Sequence, residues 1–184
     1  MGMGETKGQK RLRRCWVNST VSFGPYTWRV LARENGRALL MTEDIIERRA
    51  YNDTAPATWE TCSLRAYLNG EEFKKNFKEE EWDQIGLEEL DNPKNSEYGT
   101  AGGERTTDRV FLLSIQEALQ YFGASKRERM AKSDGIFYWW WLRSPGYSQE
   151  RAANVQVIGD IDLYGEPVNS LYGVRPALWL NLES

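Results

Sequence analysis

The chain has 184 residues, no histidine, two cysteines and a formal net charge of −3. One domain is the default at this length, large enough to bury roughly 70% of the surface its unfolded chain exposes. The missing histidine removes the commonest general base and the commonest zinc ligand together, and the acidic balance argues against nucleic acid as a partner of the whole chain.

Residues 1–19 read as a basic N-terminal tail and lead-in, carrying Lys7, Lys10, Arg11, Arg13 and Arg14. The stretch holds no apolar run of signal-peptide length. No segment approaches the roughly 18 apolar residues of a membrane span. The expectation is a protein that is cytoplasmic as synthesised, with virion association as the route to any outer surface. Cys15 and Cys62 form no CxxC pair. Two reduced thiols are expected, with a Cys15–Cys62 disulfide as the alternative in an oxidising compartment.

Residues 20–184 read as a single α+β domain, a mixed or antiparallel twisted sheet with two or more flanking helices. Over residues 20–50, Val21, Phe23, Tyr26, Trp28, Val30 and Leu31 predict β structure broken at Gly24-Pro25. Asn35-Gly36 supplies a hairpin turn, and Ala38-Leu39-Leu40-Met41-Thr42 returns as a strand covered on both faces. Thr61, Cys62 or Ser63 caps a helix that ends near Asn69-Gly70. A second short helix places Phe73 and Phe77 on one face. The acid-rich stretch 71–91 reads as a solvated helical face.

Asp91 to Thr107 reads as a long loop, of the kind that is either functional or mobile. Asp108 to Ser114 is a buried strand. Ser114 then opens a helix with Glu117 in the capping-box position. Leu119, Tyr121 and Phe122 give that helix its apolar side, and Gly123 ends it. Lys126 to Asp134 is charged and expected outside. The last third is all β. Tyr138, Trp140 and Leu142 share one face and Trp139, Trp141 and Arg143 the other. Gly159-Asp160 and Gly165-Glu166-Pro167 read as turns, and Val174 to Leu182 closes the sheet.

Four of the eight tryptophans lie at or after Trp139, so the core is expected to gather around indoles there. Trp140, Trp141 and Trp179 are assigned to it. Three consecutive rings cannot all face inward on a two-sided sheet, so at least one should line a surface. Arg143 and Arg175 sit in apolar strands. A guanidinium there needs carboxylate or carbonyl partners, so each is assigned a structural, loop-tying role. Alanine at either position is expected to unfold the protein.

Asp160, Asp162, Glu166 and Asn169 are oxygen donors that calcium would accept. Their spacing fits no known loop, so no metal is expected and any binding is taken as calcium-independent. Ser144 has no histidine to activate it. Gly99-Thr100-Ala101-Gly102-Gly103 lacks the lysine and helix entry of a phosphate loop. No catalytic residue and no cofactor is predicted.

Several segments together resemble a family of bacterial and phage domains with a C-type-lectin-like fold. They are Phe23-Gly24-x-Tyr26-x-Trp28-Arg29-Val30-Leu31, Thr58-Trp59-Glu60-x-Cys62-Ser63-Leu64-Arg65-x-Tyr67-Leu68-Asn69, Phe111-Leu112-Leu113-Ser114, Trp140-Trp141-Leu142-Arg143-Ser144-Pro145-Gly146 and Gly173-Val174-Arg175-Pro176-Ala177-Leu178. That family includes the variable proteins of diversity-generating retroelements, whose C-terminal segment is rewritten on a fixed scaffold. The resemblance implies a non-enzymatic, receptor-recognition role toward protein or surface-glycan ligands. The segment fitting the rewritten region is 147–172. Its candidate ligand-contacting positions are Tyr147, Ser148, Gln149, Glu150, Arg151, Asn154, Gln156, Ile158, Asp160, Asp162, Tyr164, Asn169, Ser170, Leu171 and Tyr172. Tyr147, Tyr164 and Tyr172 are expected on one exposed surface, supplying rigid amphipathic contact area. The alternatives are a relative of formylglycine-generating enzymes and a structural subunit of a virion or surface assembly.

Overall fold

A computed structural model of the chain describes residues 16–182. The basic side chains at 7–14 and Cys15 lie outside the described residues. The fold is α+β, with mostly antiparallel sheets and a few short helices. The first sheet contains β1 (Thr20–Phe23), β2 (Tyr26–Glu34), β3 (Arg37–Thr42), β14 (Ala177–Asn181) and β7 (Val110–Phe111), in that order. The second runs β12 (Ile161–Pro167), β11 (Arg151–Val155), β10 (Trp140–Pro145), β13 (Tyr172–Val174) and β4 (Glu47–Arg49). All of these pairs are antiparallel except β10 with β13. Two small hairpin-like pairs complete the strands: β5 (Glu88–Leu90) with β6 (Thr106–Asp108), and β8 (Ala131–Ser133) with β9 (Ile136–Tyr138).

The Asn35-Gly36 turn forms as its chemistry requires. Both residues hold positive φ, 48° and 73°, and Glu34 faces Arg37 across it. A two-residue turn of this hand matches the twist of the strands it joins. Ala38 to Met41 are all buried on β3, because β2 and β14 flank it and the core lies on both sides.

The chain's last apolar run serves both sheets. β13 belongs to the second and β14 to the first, so the chain crosses between them at Arg175-Pro176 instead of continuing as the single closing strand that the run suggested. Arg175 holds this crossing. Its buried guanidinium donates to the Thr42, Glu43 and Arg129 carbonyls at 2.8, 2.9 and 3.4 Å. It lies 5.0 Å from the Trp140 ring centre. Burial with no carboxylate in direct contact lowers its pKa to about 10.

Helix α1 (Ser63–Leu68) is capped by Cys62, whose sulfur accepts from Arg65 N at 3.4 Å. The thiol is buried, which pushes its pKa up to about 12. α2 (Glu71–Lys74) is a single turn, and Phe77 lies beyond it, yet Phe73 and Phe77 still meet at 5.7 Å between ring centres. The acidic stretch divides into α3 (Glu79–Gln84) and strand β5, so it is only partly helical. Pairing with β6 supplies backbone partners that outweigh the local composition.

α4 (Ile115–Phe122) has the expected capping box. Glu117 N donates to Ser114 Oγ at 3.1 Å and Ser114 N to Glu117 Oε2 at 2.8 Å. Its buried face is Ile115, Ala118 and Phe122, while Leu119 is exposed, one position off the expected stripe. α5 (Lys126–Arg129) and β8 occupy the charged stretch expected outside. Arg129 is buried there because its guanidinium donates to the Gly159 and Gly123 carbonyls, both at 2.7 Å.

Trp140 and Trp141 are fully buried, each with its indole N–H on a backbone carbonyl at 2.9 Å. Such rings remove on the order of 150–250 Å² each from water, worth about 4–6 kcal/mol apiece. Trp139 is half-buried, the member of the run left to line a surface. Trp179 is buried under Arg37, whose guanidinium sits 4.8 Å from its ring centre. Arg143 ties three segments to β10. It donates to the Leu112 and Asp91 carbonyls at 2.9 and 3.0 Å, to Asn92 at 3.2 Å, and through both terminal nitrogens to Glu117.

Candidate functional site

Segment 147–172 is not an insert hung between two strands. It supplies β11 and β12, the edge of the second sheet. Ala152, Ala153, Val155 and Val168 are buried within it. Gly165, expected in a turn, lies inside β12 with φ of 78°. A Cβ there would stand 2.4 Å from the Ala152 carbonyl oxygen. The register between β11 and β12 shifts at this point, so Gly165 makes a bulge that re-aims its neighbours.

Beside that bulge three tyrosines meet. Tyr147 and Tyr164 are stacked, with ring centres 5.2 Å apart and planes 24° apart. Tyr98 stands edge-on to both, at 5.2 and 6.0 Å. All three are exposed, by 54%, 46% and 38% for Tyr147, Tyr164 and Tyr98. Arg151 covers Tyr164 at 4.7 Å and donates to the Gly165 carbonyl at 2.8 Å. Edge-to-face and offset contacts of this kind favour a fixed arrangement of rings.

Tyr98 belongs to the 91–107 loop, and Asn95 explains why that loop holds its shape. Asn95 is fully buried. Its Nδ2 donates to the Pro145 and Leu163 carbonyls, both at 2.9 Å, and its Oδ1 accepts from the Glu97 and Tyr98 amides at 3.0 and 3.2 Å. Thr100 Oγ1 donates to the Tyr147 carbonyl at 2.7 Å, and Gln149 Nε2 to the Ala101 carbonyl at 3.1 Å. The loop is thereby stitched to the strand ends that carry Tyr147 and Tyr164.

Tyr172 does not join this group. It is half-buried in a second ring cluster, against Trp139 at 6.0 Å, Tyr138 at 6.3 Å and Trp141 at 4.9 Å. The cluster continues inward through Tyr51 to Trp59. Partial burial raises the Tyr172 phenol, with Glu166, Tyr138 and Asp162 adding to the effect.

The remaining candidate positions divide by environment. Glu150, Ile158, Asn169 and Leu171 are exposed, and Ser148, Gln149, Gln156, Ser170, Asp160 and Asp162 are intermediate. Asn154 is fully buried and is no surface contact. In the sheet it stands opposite Trp141 of β10 and Asp162 of β12. Ile158 and Asp160 lie by α5, where Asp160 pairs with Lys126 at 2.6 Å. Asp160 therefore does not gather with Asp162. Among the described residues no three of His, Cys, Asp and Glu form a metal-holding group.

Sequence reasoning missed Tyr98 and Asn95. The available signal was the length of the 91–107 loop and its lone aromatic. Asn95 carried no periodic signal, because its partners lie 50 and 68 residues away.

No curated protein and no solved structure matches the chain. No helix among the described residues is long and apolar enough to cross a membrane. One family matches residues 35–182, from the β2–β3 turn through β14, which covers most of the chain. The chain belongs to that family, the domain of unknown function DUF6273.

Proposed function

We propose that this protein is a non-enzymatic binding module whose ligand, a protein or a surface glycan, docks on the Tyr98–Tyr147–Tyr164 platform. The observation that carries this reading is the platform itself: three exposed rings in mutual contact, fixed from below by the buried Asn95. Exposed aromatics normally lose entropy when a partner immobilises them. Rings already held by each other lose less, which favours affinity. Cys62, the thiol inside the described residues, is buried and poorly ionised, which makes it a weak nucleophile.

The finer reading is a C-type-lectin-like scaffold with a C-terminal surface open to diversification, in a protein carried on a virion or a cell surface. Support comes from the placement of the resembling segments. The Trp140–Gly146 and Gly173–Leu178 segments form the frame, and several candidate positions between them are exposed on strands or turns. A reverse transcriptase and an imperfect repeat of the 147–172 coding region beside the gene would support diversification. Their absence would remove that part of the proposal.

The binding reading is tested by screening the parent and a Tyr98→Ala/Tyr147→Ala/Tyr164→Ala variant on immobilised glycans and peptides. Ligands of the parent should bind the variant at least about tenfold more weakly. Its melting temperature should move little, because the rings are exposed. Unchanged binding by a folded variant would refute the platform.

A further inference from the structure

Strand β1 is the outer strand of the first sheet, and its outward side is open. The Val30 amide donates to the Ser19 carbonyl and the Glu43 amide to the Thr27 carbonyl, both at 2.9 Å. On β2, Tyr26, Trp28 and Val30 therefore bond toward β1, and Thr27 and Arg29 toward β3. The same alternation turns the backbone of Val21 and Phe23 toward β2 and that of Thr20 and Ser22 outward. No hydrogen bond joins the Thr20 or Ser22 amide or carbonyl to another described residue. Both side chains are exposed, while Val21 and Phe23 lie in the core.

An open edge is a template for another strand, and proteins usually blunt it with charge, proline, a bulge or a covering loop. The other edges of the two sheets are blunted. β7 is two buried residues, and β4 is the charged Glu47-Arg48-Arg49. β12 carries the Gly165 bulge, ends at Pro167, and has its Leu163 carbonyl covered by Asn95. β1, Thr20-Val21-Ser22-Phe23, has no charge, no proline and an unbroken register. At its start stands Trp16, 75% exposed, the most exposed large apolar side chain among the described residues, with Val17 beside it at 49%.

We propose that β1 pairs antiparallel with β1 of a second copy, joining the two first sheets edge to edge about a two-fold axis at Val21. Thr20 then lies opposite Ser22 of the partner subunit, and the mirrored pair forms by symmetry. Each pair exchanges both of its outward backbone hydrogen bonds, and the hydroxyls meet across the seam. The strand is self-complementary in this register, and no like charges oppose one another. Antiparallel pairing brings the start of one strand to the end of the other. Trp16 and Val17 thereby come beside the exposed Gly24-Pro25 turn of the partner subunit and lose water there. A seam this short makes a dimer that dissociates on dilution.

The test measures the mass of the full chain by sedimentation equilibrium from about 5 µM to about 1 mM, with amide exchange read by NMR over the same range. The mass should rise from one chain toward two. Over that rise the Thr20 and Ser22 amides should slow at least about tenfold, while Val21 and Phe23 are protected throughout. Ser22→Pro removes an outward amide that β2 does not use, and it should hold the chain monomeric. Thr20→Lys/Ser22→Lys places like charges across the seam and should do the same, carrying the test should the proline variant fail to fold. A single-chain mass at every concentration overturns the proposal. So does a dimer whose Thr20 and Ser22 amides exchange freely, or one that survives the lysine pair. Protection of Thr20 and Ser22 in the monomer overturns it too, by assigning the edge to residues 1–15 of the same chain.

Discussion

Replacing Arg143 with alanine is expected to cost about 3–5 kcal/mol of folding stability, the usual range for breaking a buried ion pair from one side. The structure shows where that figure comes from. The Arg143 side chain is 3% exposed and Glu117 25%, so the pair is held largely out of water. The substitution leaves the Leu112 and Asp91 carbonyls without their donors and Glu117 without its counter-charge. Glu117 keeps one role, accepting from Ser114 N at the start of α4, so the helix cap survives. Urea unfolding followed by tryptophan fluorescence measures the loss. For a domain of this size the melting temperature should fall by about 6–20 °C. A double-mutant cycle with Glu117→Gln isolates the pair and should give a coupling above about 1 kcal/mol. A loss below about 1 kcal/mol for Arg143→Ala, or strictly additive mutations, would refute the claim that this guanidinium ties the loop, the strand and the helix together.

Asn95→Ala removes two donated and two accepted hydrogen bonds at a fully buried site, and should destabilise by about 2–4 kcal/mol. Amide exchange at Glu97 and Tyr98 should accelerate far more than in the β2–β3 hairpin; equal acceleration everywhere would mean that Asn95 does not act on the loop. Glu43 provides a pH signature. Its carboxylate receives two hydrogen bonds from Arg29, which hold its pKa below the ordinary value against partial burial. A carboxylate with a lowered folded-state pKa contributes stability above its unfolded value and loses it as pH falls through the folded one. Stability should therefore decline on acidification below the ordinary glutamate range. Glu43→Gln should flatten that acid limb, and an unchanged slope in pH-dependent urea titrations would contradict the assignment.

Local chemistry alone set the pieces whose causes lie within a few residues. The Asn35-Gly36 turn, the Ser114–Glu117 capping box, the Cys62–Asn69 helix and the buried Trp140-Trp141 strand all depend on backbone preference or on apolar runs, and these are written in consecutive positions. The structural assignment of Arg143 and Arg175 follows the same logic, since a guanidinium in an apolar strand must find acceptors. What the positions could not carry was pairing at a distance. Nothing near Arg175 says that the chain changes sheets there. The edge hairpin of 147–172, the bulge at Gly165 and the burial of Asn154 follow from which strands lie side by side. Tyr98 joins Tyr147 and Tyr164 only because Asn95 reaches two carbonyls from far along the chain. Hydrogen bonds of that span leave no periodicity in a sequence; they exist once the sheet has brought their ends together.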